Sequence, residues 1–266
     1  RLDSGDYPAL LERALTESGY QQLRSLQAER RARGELFGIG LCSYVEPCGQ
    51  GWESARITLG ADGRYLVACG TSSQGQGHRT ALAQIAADCL AAPFDRIDII
   101  EGDTRATPAG VGALASRSIA IGGSAIKRAA EELRTKLAAG ADPGTAPIAA
   151  EVVYTAAHKA WSSGCAIAAV SIDRDTGELH IHRLIWVDDV GLVINPRLVQ
   201  GQLLGGLAQG LGQILCEQIH YDADGQLLTG SLMDYAILRA DQMPAVELHS
   251  CATRTDANAL GAKGVG

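Results

Sequence analysis

No apolar run in the sequence approaches the roughly 20 uncharged residues that a membrane-spanning helix requires. A basic excess is also missing, since 23 Lys and Arg stand against 30 Asp and Glu, a formal net charge of −7. That balance argues against broad nucleic-acid binding, which depends on a basic footprint to displace phosphate counterions. Any anionic ligand must therefore be held locally. No CxxC pair occurs: the seven cysteines (Cys42, Cys48, Cys69, Cys89, Cys165, Cys216, Cys251) are odd in number and scattered. Neither a disulfide framework nor a zinc site is expected from them, and they read as small buried hydrophobes in a reducing, cytoplasmic compartment. The six histidines form no cluster either, since His180 and His182 alternate on one strand-like face without further ligands nearby. The chain has no initial methionine and no signal-like apolar segment, and it stops at Gly264-Val265-Gly266. It reads as a piece of something larger.

What is present is a globular composition, 46% hydrophobic and 20% charged over 266 residues, enough for one large domain or two lobes. The 32 glycines, many of them clustered, mark loops where backbone turns sharply or approaches a ligand closely. Leu10, Leu11, Leu15, Leu23 and Leu26 lie among charges on either side of Ser18-Gly19, which predicts two short amphipathic helices over 8–33. Residues 36–45 read as a buried strand, and 55–59 with 65–69 as a hairpin closed by Asp62-Gly63. A helix over 80–90, a strand over 97–100 and a helix over 124–137 follow. After a Gly/Pro/Ala linker at 140–147 the same grammar returns, with strands over 166–172 and 179–187 and a helix over 198–218. Gln74-Gly75-Gln76-Gly77 precedes the first of the repeated helices and Gln200-Gly201-Gln202 the second. The prediction is an α+β fold of two lobes built from related ββα-type repeats, with 1–34 a helical lead-in, 35–140 the first lobe and 148–266 the second.

Three glycine-rich segments carry the candidate chemistry. Gly70-Thr71-Ser72-Ser73-Gln74-Gly75-Gln76-Gly77-His78-Arg79-Thr80 runs from a strand into a helix, where free backbone N–H groups make an anion site without net positive charge. No Walker or dinucleotide spacing is present. Gln76 adds an amide able to donate and accept. The second segment, Gly110-Val111-Gly112 through Ser116-Arg117-Ser118 to Gly122-Gly123, offers small residues, two hydroxyls and a guanidinium for phosphate or pterin oxygens. The third, Gly261-Ala262-Lys263-Gly264-Val265-Gly266, reads either as a cofactor wrap or as a fraying terminus.

In this order, and together with Asp188-Asp189-Val190-Gly191, Asn195-Pro196, Gly201-Gln202 and Gln209-Gly210-Leu211-Gly212, these segments resemble the carboxy-terminal part of the molybdenum-binding large subunit of the xanthine dehydrogenase and aldehyde oxidase family, the molybdenum hydroxylases. The resemblance runs over nearly the whole chain from about residue 34. It implies cofactor contacts at Gln76, Gly77, Ser116, Arg117, Ser118, Gln202, Lys263, Gly264 and Val265, with Gln76 also supporting catalysis. It implies a molybdenum–molybdopterin cofactor, expected in the cytosine dinucleotide form, and oxidative hydroxylation of an aldehyde, purine or N-heterocycle with oxygen from water. Electrons would pass to 2Fe-2S and FAD groups in partner segments or subunits, and the partners would include the rest of the large subunit. The family's general-base glutamate would directly follow Gly266 and is absent; Glu46, Glu101 and Glu217 lie in other contexts. The isolated chain is therefore expected to be inactive. Two other readings are a non-catalytic pterin- or nucleotide-binding module and a structural subunit that uses its glycines for packing.

Overall fold

The structure, a computed structural model, describes residues 2–265. Helix α1 (Tyr7–Glu17) begins behind Asp6, whose carboxylate accepts the Ala9 amide, and Pro8 sits in its first turn. Gly19, in the left-handed region at φ +58°, breaks the chain before α2 (Tyr20–Ala32). Strands β1 (Leu36–Cys48), β2 (Trp52–Leu59) and β3 (Tyr65–Cys69), helix α3 (His78–Leu90), and strand β4 (Ile97–Ile100) follow. A π-helical turn, Ser118–Gly122, opens α4 (Gly123–Ala138). Then come β5 (Ile148–Thr155), β6 (Ala160–Ile172), β7 (Leu179–Asp189), α5 (Pro196–Leu215) and β8 (Glu247–Ser250).

The strands form two four-stranded sheets, ordered β4-β3-β2-β5 and β1-β6-β7-β8. Each holds an antiparallel hairpin, β2-β3 or β6-β7, followed after a helix by a parallel edge strand, β4 or β8. The ββα repeat read from the sequence is thus real. Strand pairing does not follow the division at 140–148, however. Strand β1 pairs with β6 along its whole length, from Leu36 opposite Ile172 to Cys48 opposite Ala160, while β5 pairs back onto β2. The two repeats exchange their outer strands, because sheet pairing is decided by tertiary position and long cross-strand contact rather than by proximity in sequence.

One core lies under the first sheet, where Ile57, Val67 and Cys69 meet Leu82 and Ile85 of α3 and Ile126 and Leu133 of α4. The second lies where the lead-in helices cover the other sheet, with Leu10, Ala14 and Leu23 against Phe37, Cys165, Ile167 and Val187. Cys48, Cys69 and Cys165 are buried as expected, whereas Cys42 is exposed on β1. His182 hydrogen-bonds Ser171 and stacks on Phe37, a packing role.

Candidate functional site

A cleft of about 310 Å³ is lined by residues from all three glycine-rich segments. From the first come Gln76 and His78; from the second, Ser116, Arg117 and Ser118; from the third, Lys263, Gly264 and Val265. The start of α5 adds Asn195, Leu198 and Gln202. Of the sequence-derived candidates only Gly77 is outside the lining, and its function is steric. It sits at φ +76°, and a Cβ there would approach Leu198 Cδ2 to 2.6 Å, so a glycine lets the loop lie directly on α5.

Three helical starts meet this cleft. The first turn of α3 and the π-helical turn have no side-chain cap, leaving amide donors free for an anion. The start of α5 is capped by Asn195, whose Oδ1 accepts from the Leu198 amide at 3.2 Å and whose Nδ2 donates to Gln84 of α3 at 2.8 Å. One side chain therefore fixes α5 relative to α3. Ala115 and Ser116 both lie in the left-handed region, at φ +48° and +51°, a conformation that costs a non-glycine residue on the order of 1 kcal/mol. The neighbouring structure holds them there. The Gln76 side-chain carbonyl accepts from the Gln74 backbone amide at 2.6 Å, and its NH2 group has no partner among the described residues. Ser118 shares a 2.8 Å hydrogen bond with Thr71, and Ser116 donates to the Val265 carbonyl at 3.3 Å.

Two cations expected at the cleft are already committed elsewhere. The Arg117 guanidinium is 2.7 Å from Glu53 and also donates to the carbonyls of Gly112, Trp52 and Gln50, so each of its nitrogens has a partner within the chain. The Lys263 ammonium donates to Asp189 at 2.8 Å and Thr253 at 2.9 Å, with both charged groups buried. Its ammonium anchors the segment, and residues 263–265 line the cleft. Of the two readings of this segment, a wrap or a fraying terminus, its hydrogen bonds within the described residues favour the first. Asn258 Oδ1 accepts from Leu260, Gly261 and Ala262, while Leu192 donates to Gly261, Lys263 to Val190, and Gly264 to the Cys48 sulfur.

Glu53 and His78 were missed by the sequence reading. Glu53 is one carboxylate in a strand with no motif around it, and its only local signal is a charged residue near the start of an otherwise inward-facing run. His78 is buried at the first position of α3, its Nδ1 without a partner and its imidazole pKa lowered by burial, so it is neutral at physiological pH. None of the described residues lining the cleft carries a side-chain carboxylate. Glu217 accepts a hydrogen bond from Tyr235 away from it.

The sequence family described as a molybdopterin cofactor-binding domain matches residues 13–158 and 144–244. The chain belongs to this family. Among curated relatives, the carbon monoxide dehydrogenase large chain of Hydrogenophaga pseudoflava is 32% identical, the match covering 99% of this chain and 40% of that one. The nicotine 6-hydroxylase large subunit of Paenarthrobacter nicotinovorans is 31% identical over 98% of this chain and 38% of its own length. The solved structure of reconstituted CO dehydrogenase from Oligotropha carboxidovorans superposes with a TM-score of 0.93 at 30% identity, covering 100% of this chain and 40% of that one. This molybdopterin-binding chain thus spans about two fifths of the length of the curated relatives it matches. Among its described residues no helix is long and apolar enough to cross a membrane.

Proposed function

We propose that the chain forms one wall of a molybdenum–pterin site in a multi-subunit oxidoreductase that hydroxylates an aldehyde, purine or N-heterocycle. The observation that carries this reading is the convergence of three separate glycine-rich segments on one cleft whose donors are neutral amides and hydroxyls. Such a set suits a polyanionic ligand on an acidic protein, because uncapped helix starts and serine hydroxyls bind phosphate without net charge. The residues present fit a pterin phosphate. The amides at the start of α3 after Gly77 and of the π-helical turn would take phosphate oxygens, with Ser116 and Ser118 adding hydroxyls. The backbone at Lys263, Gly264 and Val265 would follow the pterin, Gln202 would contribute an amide from α5, and Arg117 would act through its backbone.

When bound, the metal centre supplies two-electron oxidation of carbon with oxygen derived from water. The free NH2 group of Gln76 would orient an oxygen and stabilise charge that develops on it during reaction. The proton acceptor would come from outside the cleft lining. The finer features of the proposal are a cytosine dinucleotide form of the cofactor, with electrons leaving through iron–sulfur (2Fe-2S) and FAD subunits. The rest of the large subunit would supply the facing wall. To test the reading, the complete enzyme is purified from its native host, its molybdenum is measured, and acid-released nucleotide is identified by chromatography. Molybdenum with CMP supports the proposal in full; pterin and nucleotide without turnover supports a binding module; a protein free of both overturns it.

A further inference from the structure

We propose that Glu53 and Arg117 form one positioning unit that presets residues 110–118 for the cofactor, and that the Arg117 guanidinium is not itself an anion ligand. The inference rests on the reading of the cleft as a pterin site. Glu53 lies at the start of β2 and is fully buried, and Arg117 is 3% exposed. Both carboxylate oxygens are in use. Oε2 accepts from Arg117 Nη1 at 2.7 Å and from the Gly112 amide at 3.2 Å, while Oε1 accepts from the Ser54 and Val111 amides at 3.2 Å. Every guanidinium nitrogen is engaged in turn, Nη1 also with the Gly112 carbonyl at 3.0 Å, Nη2 with Trp52 and Nε with Gln50 at 3.4 Å.

Gly70 and Gly110 lie against each other beside this carboxylate, and a Cβ on either would also meet the other's backbone. A Cβ on Gly70 or Gly110 would collide with Glu53 Oε1, so the loop backbone closes directly over it. The arrangement exceeds what a brace between secondary-structure elements requires. By binding the Val111 and Gly112 amides on one side and Arg117 on the other, the pair fixes both ends of the stretch that holds Ala115 and Ser116 left-handed. That stretch carries the two cleft serines, Ser116 and Ser118, on either side of Arg117. An ion pair removed from water is strongly unfavourable to separate, since either partner left alone is a buried unpaired charge. Arg117 therefore stays with Glu53 when an anion arrives, and the loop is ordered before binding.

The test uses the complete enzyme. Amide hydrogen exchange is first compared in cofactor-loaded and cofactor-stripped wild type, and equal, strong protection of Val111 and Gly112 in both is expected. Protection that appears only with cofactor overturns the proposal. Release of pterin is then followed in Glu53→Gln, Arg117→Lys and the double variant, well below the melting temperature of each. Each single change should speed release by about tenfold or more, and the double variant should be no worse than the poorer single, as coupled partners behave. A direct anion ligand gives the opposite pattern: Glu53→Gln frees the guanidinium and holds cofactor as well or better, and Arg117→Lys, keeping its charge, loses little. That pattern overturns the proposal, as do unchanged release rates in all three variants. If no variant accumulates, the wild-type exchange comparison decides alone. An enzyme purified without pterin overturns the reading of the cleft and this proposal together, whereas a pterin-loaded enzyme with unprotected amides overturns only this one.

Discussion

Gln76 enters the cleft with its carbonyl held by Gln74 and its NH2 group free, so its orientation is set by its own loop. Replacing it with alanine removes a donor but almost no packing. Gln76→Ala should lower turnover of the complete enzyme by about 10²-fold to 10³-fold, the range seen for loss of one charge-stabilising donor. Its melting temperature should not move; unchanged turnover with full cofactor occupancy would remove Gln76 from the site. Asp188 is a different case, a carboxyl buried without a partner for Oδ2, whose pKa burial and then neighbouring Asp189 push up to about 6. An unfolded aspartate titrates at about 3.9, so between roughly pH 4 and 6 the folded state holds a proton that the unfolded state has lost. Stability therefore falls as pH rises through that window and stays reduced above it. Asp188→Asn should flatten this slope and raise stability at pH 7 by roughly 1–3 kcal/mol, with little change at pH 4. Denaturant melts across pH 4–8 read both effects. Gln76 was legible in the sequence because a glycine-flanked amide before a helix is a local pattern. Glu53 was not, and Asp188, though part of the Asp188-Asp189-Val190-Gly191 motif, showed nothing of its burial there, because what distinguishes each is contributed by distant segments.

Helix α5 shows how one element couples the two repeats. Its cap residue Asn195 also reaches Gln84, and its Leu198 receives Gly77 of the first glycine loop. Asn195→Ala removes the cap and the tie to α3 together and should cost about 1–2 kcal/mol in a denaturant melt. Gly77→Ala combines an unfavourable φ with a clash against Leu198 and should cost about 1–3 kcal/mol while weakening pterin retention. A variant that is destabilised yet retains cofactor normally would show that loop placement does not depend on this contact. At this scale the sequence was informative where signals are local. Asp62-Gly63 announced the β2-β3 hairpin, and Ser18-Gly19 announced the break between α1 and α2. Strands β5 and β8 were not anticipated. Strand β8 has only four residues and pairs in parallel with β7, and β5 emerges from a Gly/Pro linker to pair with a strand nearly a hundred residues earlier. The exchange of β1 and β5 between repeats is invisible locally for the same reason.

At the scale of the whole molecule, the segment between α5 and β8 is the least self-sufficient part. Leu228 is 55% exposed, Leu232 77% and Met233 94%, and the segment has no strand or α-helix of its own. Helix α5 leading into it buries only Leu203, Leu211 and Gly212, and a Cβ at Gly201, Gly205 or Gly210 would meet nothing within 4 Å. Glycine inside a helix is less favourable than alanine by about 1 kcal/mol, and nothing among the described residues covers these three positions. A cluster of exposed large apolar side chains of this kind marks an interaction surface. Because the chain spans about two fifths of its curated relatives, the neighbour expected here is the remainder of a longer large subunit. Leu232→Glu combined with Met233→Glu would place two charges on that contact while touching no buried group of this chain. In the complete enzyme the pair of changes should lower the yield of assembled, molybdenum-loaded protein at least tenfold, an effect of about 1.4 kcal/mol or more on the contact. Size-exclusion chromatography with metal analysis of the assembled fraction measures it. Full assembly and full metal content in the double variant would mean that the segment stays exposed in the enzyme.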